Sequence, residues 1–212
     1  MLLACKAVLF DCDGVLVDSD ASVARAWSRW AREFGLDPGS VVASVHGRRA
    51  ADTIAELLPP GARAAATVRI DELELGDAPS VRACPGAVDL LSSMPRFRHA
   101  VVTSATRALA TARLRAAGLA PPPVLITADD LSVGKPAPDG YLAAARALAV
   151  DPADVAVLED SPAGVEAARR AGVGVIVGIG ARPLGSAATV VVPNCASLSW
   201  CERGLLVRDH GR

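Results

Sequence analysis

Apolar residues run unbroken through Ala7-Val-Leu-Phe10 and stop at Asp11-Cys-Asp-Gly14. A strand that is apolar without alternation is buried on both faces, as in a parallel sheet. The same texture recurs at His99-Ala-Val-Val102, which runs on into Thr103 and Ser104, and at Val124-Leu-Ile-Thr127. It returns at Val155-Ala-Val-Leu158, which ends in Glu159-Asp160, then at Val175-Ile-Val177 and Val190-Val-Val192. Between these runs lie helical periods. Pro85 opens one with Val88, Leu91 and Met94; Leu109 and Leu114 mark a second that Gly118 ends; Tyr141 and Leu148 mark a third. Ser161-Pro162 caps and opens a fourth, which Gly172 closes. Strands alternating with helices predict right-handed crossovers and an α/β fold, a Rossmann-like parallel sheet with helices on both faces.

Residues 20–81 break this alternation. Asp18, Ser19 or Asp20 caps a helix that runs to Phe34 and is closed by Gly35, with Val23, Trp27, Trp30, Ala31 and Phe34 on one face. Asp37-Pro-Gly-Ser40 breaks the chain before a short helix and the polar turn His46-Gly-Arg-Arg49. A helix through Ile54 and Leu58 stops at Pro59-Pro60, and another spans 62–75 with Ala66, Ile70 and Leu73 on one side. No strand signal interrupts them. The pattern predicts a core domain built from 1–19 and 82–212, with a small helical domain, 20–81, inserted over the strand ends. Residues 178–212 finish the sheet edge or form a tail hairpin around Gly204.

Composition narrows the function classes. The 212 residues suit one large domain or one domain with an insert, and 51% hydrophobic content supplies a core. A net charge of −1 and 3% aromatic residues argue against a nucleic-acid surface. Lys6 and Lys135 are the only lysines. The five cysteines form no Cys-x-x-Cys pair, and an odd count predicts reduced thiols in a cytoplasm. Leu2-Leu-Ala-Cys5 resembles a lipoprotein cleavage box only superficially, because no apolar stretch precedes it. No run approaches the roughly 20 apolar residues of a membrane span. These features predict a soluble cytoplasmic monomer without nucleic-acid or membrane partners.

In a parallel sheet the polar strand ends share one edge, where such folds bind ligands. Asp11, Asp13, Ser104, the loop with Lys135, and Glu159-Asp160 therefore converge from distant parts of the chain. Asp11, Asp160 and the nearby Glu159 form a hard oxygen cluster suited to Mg²⁺. Lys135 and the Ser104 hydroxyl suit phosphate oxygens.

These motifs resemble the haloacid dehalogenase-like phosphotransferase superfamily. Asp11-Cys-Asp-Gly-Val-Leu-Val-Asp-Ser19, Gly134-Lys-Pro-Ala-Pro-Asp-Gly-Tyr141 and Leu158-Glu-Asp-Ser-Pro-Ala-Gly164 look like its β-phosphoglucomutase-like branch. Within that branch, Ala26-Trp-Ser-Arg-Trp-Ala-Arg32, His46-Gly47 and Ile126-Thr-Ala-Asp-Asp130 are most similar to hexitol and glycerol-phosphate phosphatases. The resemblance implies a Mg²⁺-dependent phosphatase of a small phosphorylated sugar, polyol or related metabolite. It implies Asp11 as the nucleophile forming an aspartyl-phosphate, and Asp13 as acid–base with its backbone carbonyl on Mg²⁺. Ser104, Ala105 and Thr106 would hold the phosphoryl group, Lys135 would pair with Asp11 and phosphate, and Asp160 with Glu159 would complete the metal site. Residues 20–81 would be a cap, with His46, Gly47, Arg48 and Arg49 reaching the substrate.

Plainer roles stand beside these. Asp18 and Ser19 start a helix, Thr103 completes strand hydrogen bonding, Cys12 is inert, and Glu159 is a direct metal ligand or a neighbour of one. Two other functions compete. The first is a β-phosphoglucomutase-like mutase, although mutases of that type use a cap lysine and 20–81 contains none. The second is a non-catalytic binding module.

Overall fold

A computed structural model describes residues 1–182 and 187–208 of the chain. Residues 183–186 and 209–212, within the stretch assigned above to the core, lie outside the described residues. The chain opens with β1 (Leu2–Ala4), β2 (Ala7–Phe10) and the two-residue β3 (Val17–Asp18). Four helices follow: α1 (Asp20–Glu33), α2 (Pro38–Ser44), α3 (Ala50–Leu57) and α4 (Pro60–Asp77). β4 (Arg82–Ala83) returns the chain to α5 (Ala87–Ser93), β5 (His99–Val102), α6 (Arg107–Ala116), β6 (Leu125–Ile126) and α7 (Asp139–Ala147). Then come β7 (Val155–Glu159), α8 (Pro162–Arg170), β8 (Val175–Ile179), β9 (Val190–Val192), β10 (Leu198–Cys201) and β11 (Gly204–Val207).

The fold is α/β. Six parallel strands form the central sheet in the order β6-β5-β2-β7-β8-β9. The unbroken apolar runs have a direct cause in its two covered faces. Val8 and Phe10 enter one apolar cluster with Leu90, Leu114 and Leu119, while Ala7 and Leu9 enter another with Tyr141, Ala144 and Val165. Register sets the polar edge. Phe10 lies opposite Val101 on one side and Leu158 on the other, so Asp11, Ser104 and Glu159-Asp160 emerge side by side.

Helices α1–α4 bury a cluster of their own containing Trp27, Trp30, Val41, Ile54, Ala66 and Ile70. Trp30 is fully buried and donates Nε1–H to the Ala66 carbonyl at 2.9 Å, tying α1 to α4. The chain enters this block at β3 and leaves it at β4, which pair as an antiparallel ribbon, Val17 opposite Ala83. Two-residue strands are too short to carry a period, and the sequence pattern does not reveal them.

Two expectations change. Val88 is 44% exposed, and the helix begins after Gly86 rather than at Pro85; α5 buries Ala87 and Leu90, and Met94 is buried just past its end. The alternatives for the tail are not exclusive. β9 completes the sheet edge, while β10 and β11 form a hairpin that β1 joins on its other side. Leu2-Leu-Ala4 is thereby a strand. Among the described residues, no helix is long and apolar enough to cross a membrane.

Candidate active site

The chain leaves β2 through Asp11, 6% exposed, and turns at Asp13-Gly14. Gly14 has φ +80°, and a Cβ there would collide with the Asp160 carboxylate. Glycine is thus needed for both the left-handed turn and the close approach of this backbone to Asp160.

Lys135 reaches the same point from the loop before α7. Its Nζ donates to Asp11 Oδ1 and Glu159 Oε1, and it is 8% exposed. The Lys135–Pro136 peptide is cis. Burial disfavours the ammonium, but Asp11 and Glu159 hold its pKa well above the usual lysine value. Glu159 is fully buried and saturated with donors. Oε1 also accepts from the Tyr141 hydroxyl at 2.6 Å, and Oε2 accepts from the Asp160 and Ser161 amides and the Ser161 hydroxyl at 3.0–3.1 Å.

Asp11, Glu159 and Asp160 offer carboxylate oxygens within 4.8 Å of one another. Lys135 cannot balance three anions. Burial and then the neighbouring Glu159 raise the Asp160 pKa to about 7, and burial with the same crowding pushes Asp11 upward against the pull of Lys135. A second cation already leans on this cluster: the Arg182 guanidinium pairs with Asp160 and, at 2.6 Å, with Asp20 on α1. A hard, oxygen-only, over-anionic donor set of this kind fits Mg²⁺.

Ser104 stands on the next strand end. Its hydroxyl donates to the Gly47 carbonyl at 3.0 Å, across to the helical block. Thr103 does more than continue the strand: its Oγ1 accepts the Ala105 amide at 3.1 Å and shapes the turn. Thr106 caps α6, accepting from the Leu109 amide at 3.3 Å. His46, Gly47, Arg48 and Arg49 all line the same cavity, but both arginines are already neutralised. Arg48 pairs with Glu56, while Arg49 pairs with Asp52 at 2.7 Å and donates to the Leu131 carbonyl at 3.0 Å. Burial, then the nearby Arg182, lowers the His46 pKa and favours the neutral ring.

Several site residues escape sequence reading. Arg113 lies 2% exposed on the buried face of α6 and contacts Asp13 Oδ1 at 2.9 Å and Glu74 of α4 at 3.0 Å. Ser19 stands at the start of α1 without a side-chain capping bond; its hydroxyl turns instead to Asp13 Oδ1 at 2.7 Å. One signal for Arg113 existed: it shares a helical face with Leu109, Ala110 and Leu114, where an apolar residue would be ordinary.

These groups open on one cavity of about 390 Å³, whose walls include Asp11, Asp13 and Ser104 from the strand ends and Arg49, Asp71 and Glu74 from the helical block. The family model for haloacid dehalogenase-like hydrolases matches residues 5–172. The chain belongs to this family. It is similar to hexitol phosphatase A of Escherichia coli (strain K12), with 41% identity over 179 residues covering 82% of this chain and 83% of that protein. Glycerol-1-phosphate phosphohydrolase 2 of Saccharomyces cerevisiae is 34% identical over 190 residues, covering 82% and 74% respectively. CbbY from Rhodobacter sphaeroides, solved in complex with xylulose-(1,5)bisphosphate, superposes with a TM-score of 0.78 at 25% identity, covering 92% of this chain and 96% of that one.

Proposed function

We propose that this hydrolase is a Mg²⁺-dependent phosphatase of small phosphorylated polyols or sugars, acting through an aspartyl-phosphate on Asp11. The observation that carries the reading is the buried Lys135 held between Asp11 and Glu159, with Asp13 and Asp160 on the same sheet edge. Asp11 Oδ1 is held by Lys135, so Oδ2 is the attacking oxygen. As it bonds to phosphorus the ester oxygen departs, taking a proton from Asp13. Asp13, now a carboxylate, accepts a proton from water; that water attacks the aspartyl-phosphate, phosphate leaves, and both aspartates are restored. Acid–base help of this kind contributes about 10²–10⁴ in rate.

Mg²⁺ would be held by the Asp11 and Asp160 carboxylates and the Asp13 carbonyl, where it supplies charge neutralisation for the phosphoryl oxygens. Glu159, with both oxygens engaged, orients Lys135 rather than adding a ligand. Ser104 and the amides of Ala105 and Thr106 receive the phosphoryl group, and residues 20–81 act as the cap that excludes water.

The cavity also bears on the substrate. Arg48, Arg49 and Arg113 are each already paired with a carboxylate, while Asp71 has no partner among the described residues. A second phosphate or a carboxylate on the substrate would meet no free cation there; hydroxyl groups would meet acceptors. This favours a hydroxyl-rich alcohol portion, in keeping with the names of the hexitol and glycerol-phosphate relatives. The test is Mg²⁺-dependent phosphate release from a panel of polyol and sugar monophosphates by wild type and Asp11→Asn. Equal activity of the two proteins would refute it.

A further inference from the structure

The guanidinium of Arg113 is buried between two carboxylates that belong to different parts of the chain, Asp13 after β2 and Glu74 on α4. Burying such a group is no route to stability. Its desolvation costs several kcal/mol, and a well-packed apolar residue would serve packing equally well or better. Its Nε–H finds no partner among the described residues, which adds to the cost. The arrangement nonetheless has a consequence for Asp13. Arg113 and Ser19 both donate to Oδ1, at 2.9 and 2.7 Å, and no donor among the described residues engages Oδ2. The carboxyl group is held through one oxygen, and Asp13 lines the cavity.

Resting on the phosphatase reading above, we propose that Arg113 is a positioning residue for proton transfer: it fixes the Asp13 carboxyl with Oδ2 toward the ester oxygen and, through Glu74, couples that orientation to the seating of the cap. When Asp13 gives its proton to the leaving oxygen it gains a negative charge, and the guanidinium stabilises that charge as it forms. Glu74 prevents the cation from acting too early. Paired with Glu74, Arg113 is balanced before the reaction. Arg113 stands on α6 of the core and Glu74 on α4 of the cap, so the three-residue chain is complete only with the helices seated.

Leaving-group dependence separates positioning from simple structural support. An alkyl phosphate expels a strongly basic alkoxide and needs the Asp13 proton; p-nitrophenyl phosphate expels a stable phenolate and does not. kcat/KM reports the steps up to transfer onto Asp11. For Arg113→Met and Glu74→Gln, kcat/KM for glycerol 1-phosphate should fall by about 30-fold or more, within the usual range for acid–base help, and that for p-nitrophenyl phosphate by less than about threefold. Arg113→Lys, which keeps charge but loses the two-armed geometry, should regain part of the alkyl activity. Equal losses on both esters, or no loss on either, would overturn the inference. Should Arg113→Met not fold, the isosteric Glu74→Gln decides alone. Wild type inactive in Mg²⁺ on both esters and across the polyol and sugar monophosphate panel would instead overturn the phosphatase reading, and this inference with it.

Discussion

Replacing Lys135 with methionine removes the cation from a cluster of buried carboxylates while keeping much of its volume. Asp11 and Asp160 are each 6% exposed and Glu159 is fully buried, so solvent screens little of the change. Breaking a buried ion pair from one side costs about 3–5 kcal/mol. For a domain of this size each kcal/mol lowers Tm by about 2–4 °C, so a fall of roughly 6–20 °C follows. The pH dependence gives the sharper check. Burial holds Asp11 above its unfolded value and Asp160 at about 7, and removing Lys135 drives Asp11 higher still. A carboxyl group whose folded pKa is raised favours folding at low pH, and that contribution is lost as pH rises through the folded pKa. Protons therefore substitute for the missing ammonium more fully at pH 6 than at pH 8. Thermal melts of Lys135→Met and wild type in a metal chelator should show the larger deficit at pH 8. Activity with Mg²⁺ should drop about 10²–10³-fold, the usual cost of losing one donor to the transition-state charge. An unchanged Tm, or a deficit that grows on acidification, would refute the charge accounting on which the site rests.

Three further outcomes follow from the same geometry. Gly14→Ala forces a left-handed residue, at about 1–2 kcal/mol, and drives a methyl group into Asp160; calorimetric titration should show weakened Mg²⁺ binding together with reduced turnover. In the wild type, the Asp160 pKa of about 7 makes protons compete with Mg²⁺. Its affinity should weaken by up to about tenfold per unit below pH 7 and level off above it, and a flat profile would contradict the assignment of Asp160 to the metal. Asp71→Arg should raise kcat/KM for a substrate with a second anionic group, relative to a neutral polyol phosphate, by about tenfold or more. An unchanged ratio would place Asp71 outside the specificity-determining wall.

The sheet was legible because two-sided burial leaves its mark on every residue of β2, β5 and β7. Polar strand ends were legible for a related reason: a parallel sheet forces Asp11, Ser104 and Asp160 onto one edge however far apart they lie in the chain. What stayed hidden were contacts set by side-chain reach. Nothing in the spacing of Arg113 or Arg182 says which carboxylate each will meet, and Tyr141 reads as one more apolar position on α7 until its hydroxyl is seen on Glu159. Arg48 and Arg49 show the converse. Their place in the motif suggested reach into the site, but a carboxylate on the following helix, Glu56 or Asp52, lies close enough to claim each guanidinium first.

The way the two parts of the chain hold together bears on how such a site could turn over. The apolar cluster of α1–α4 contains only residues of that block, and those beneath and above the sheet contain none of its helices. Polar contacts join them, among them Ser104 to the Gly47 carbonyl, Arg49 to the Leu131 carbonyl, Arg113 to Glu74, and Arg182 to Asp20 and His46, while α6 also packs against α4 and the Ala78–Ser80 turn. An interface of this type separates at little hydrophobic cost, and the two-residue ribbon β3–β4 is its covalent connection. On the proposed mechanism, substrate entry and phosphate release would both require the cavity to open, whereas transfer to Asp11 would favour a closed, dry site. Polar clasps would satisfy both needs, since water could replace each of them if the helices lifted. Of these, the Arg113–Glu74 clasp leads to Asp13, the residue assigned to proton transfer, which makes it the contact where closing and chemistry meet.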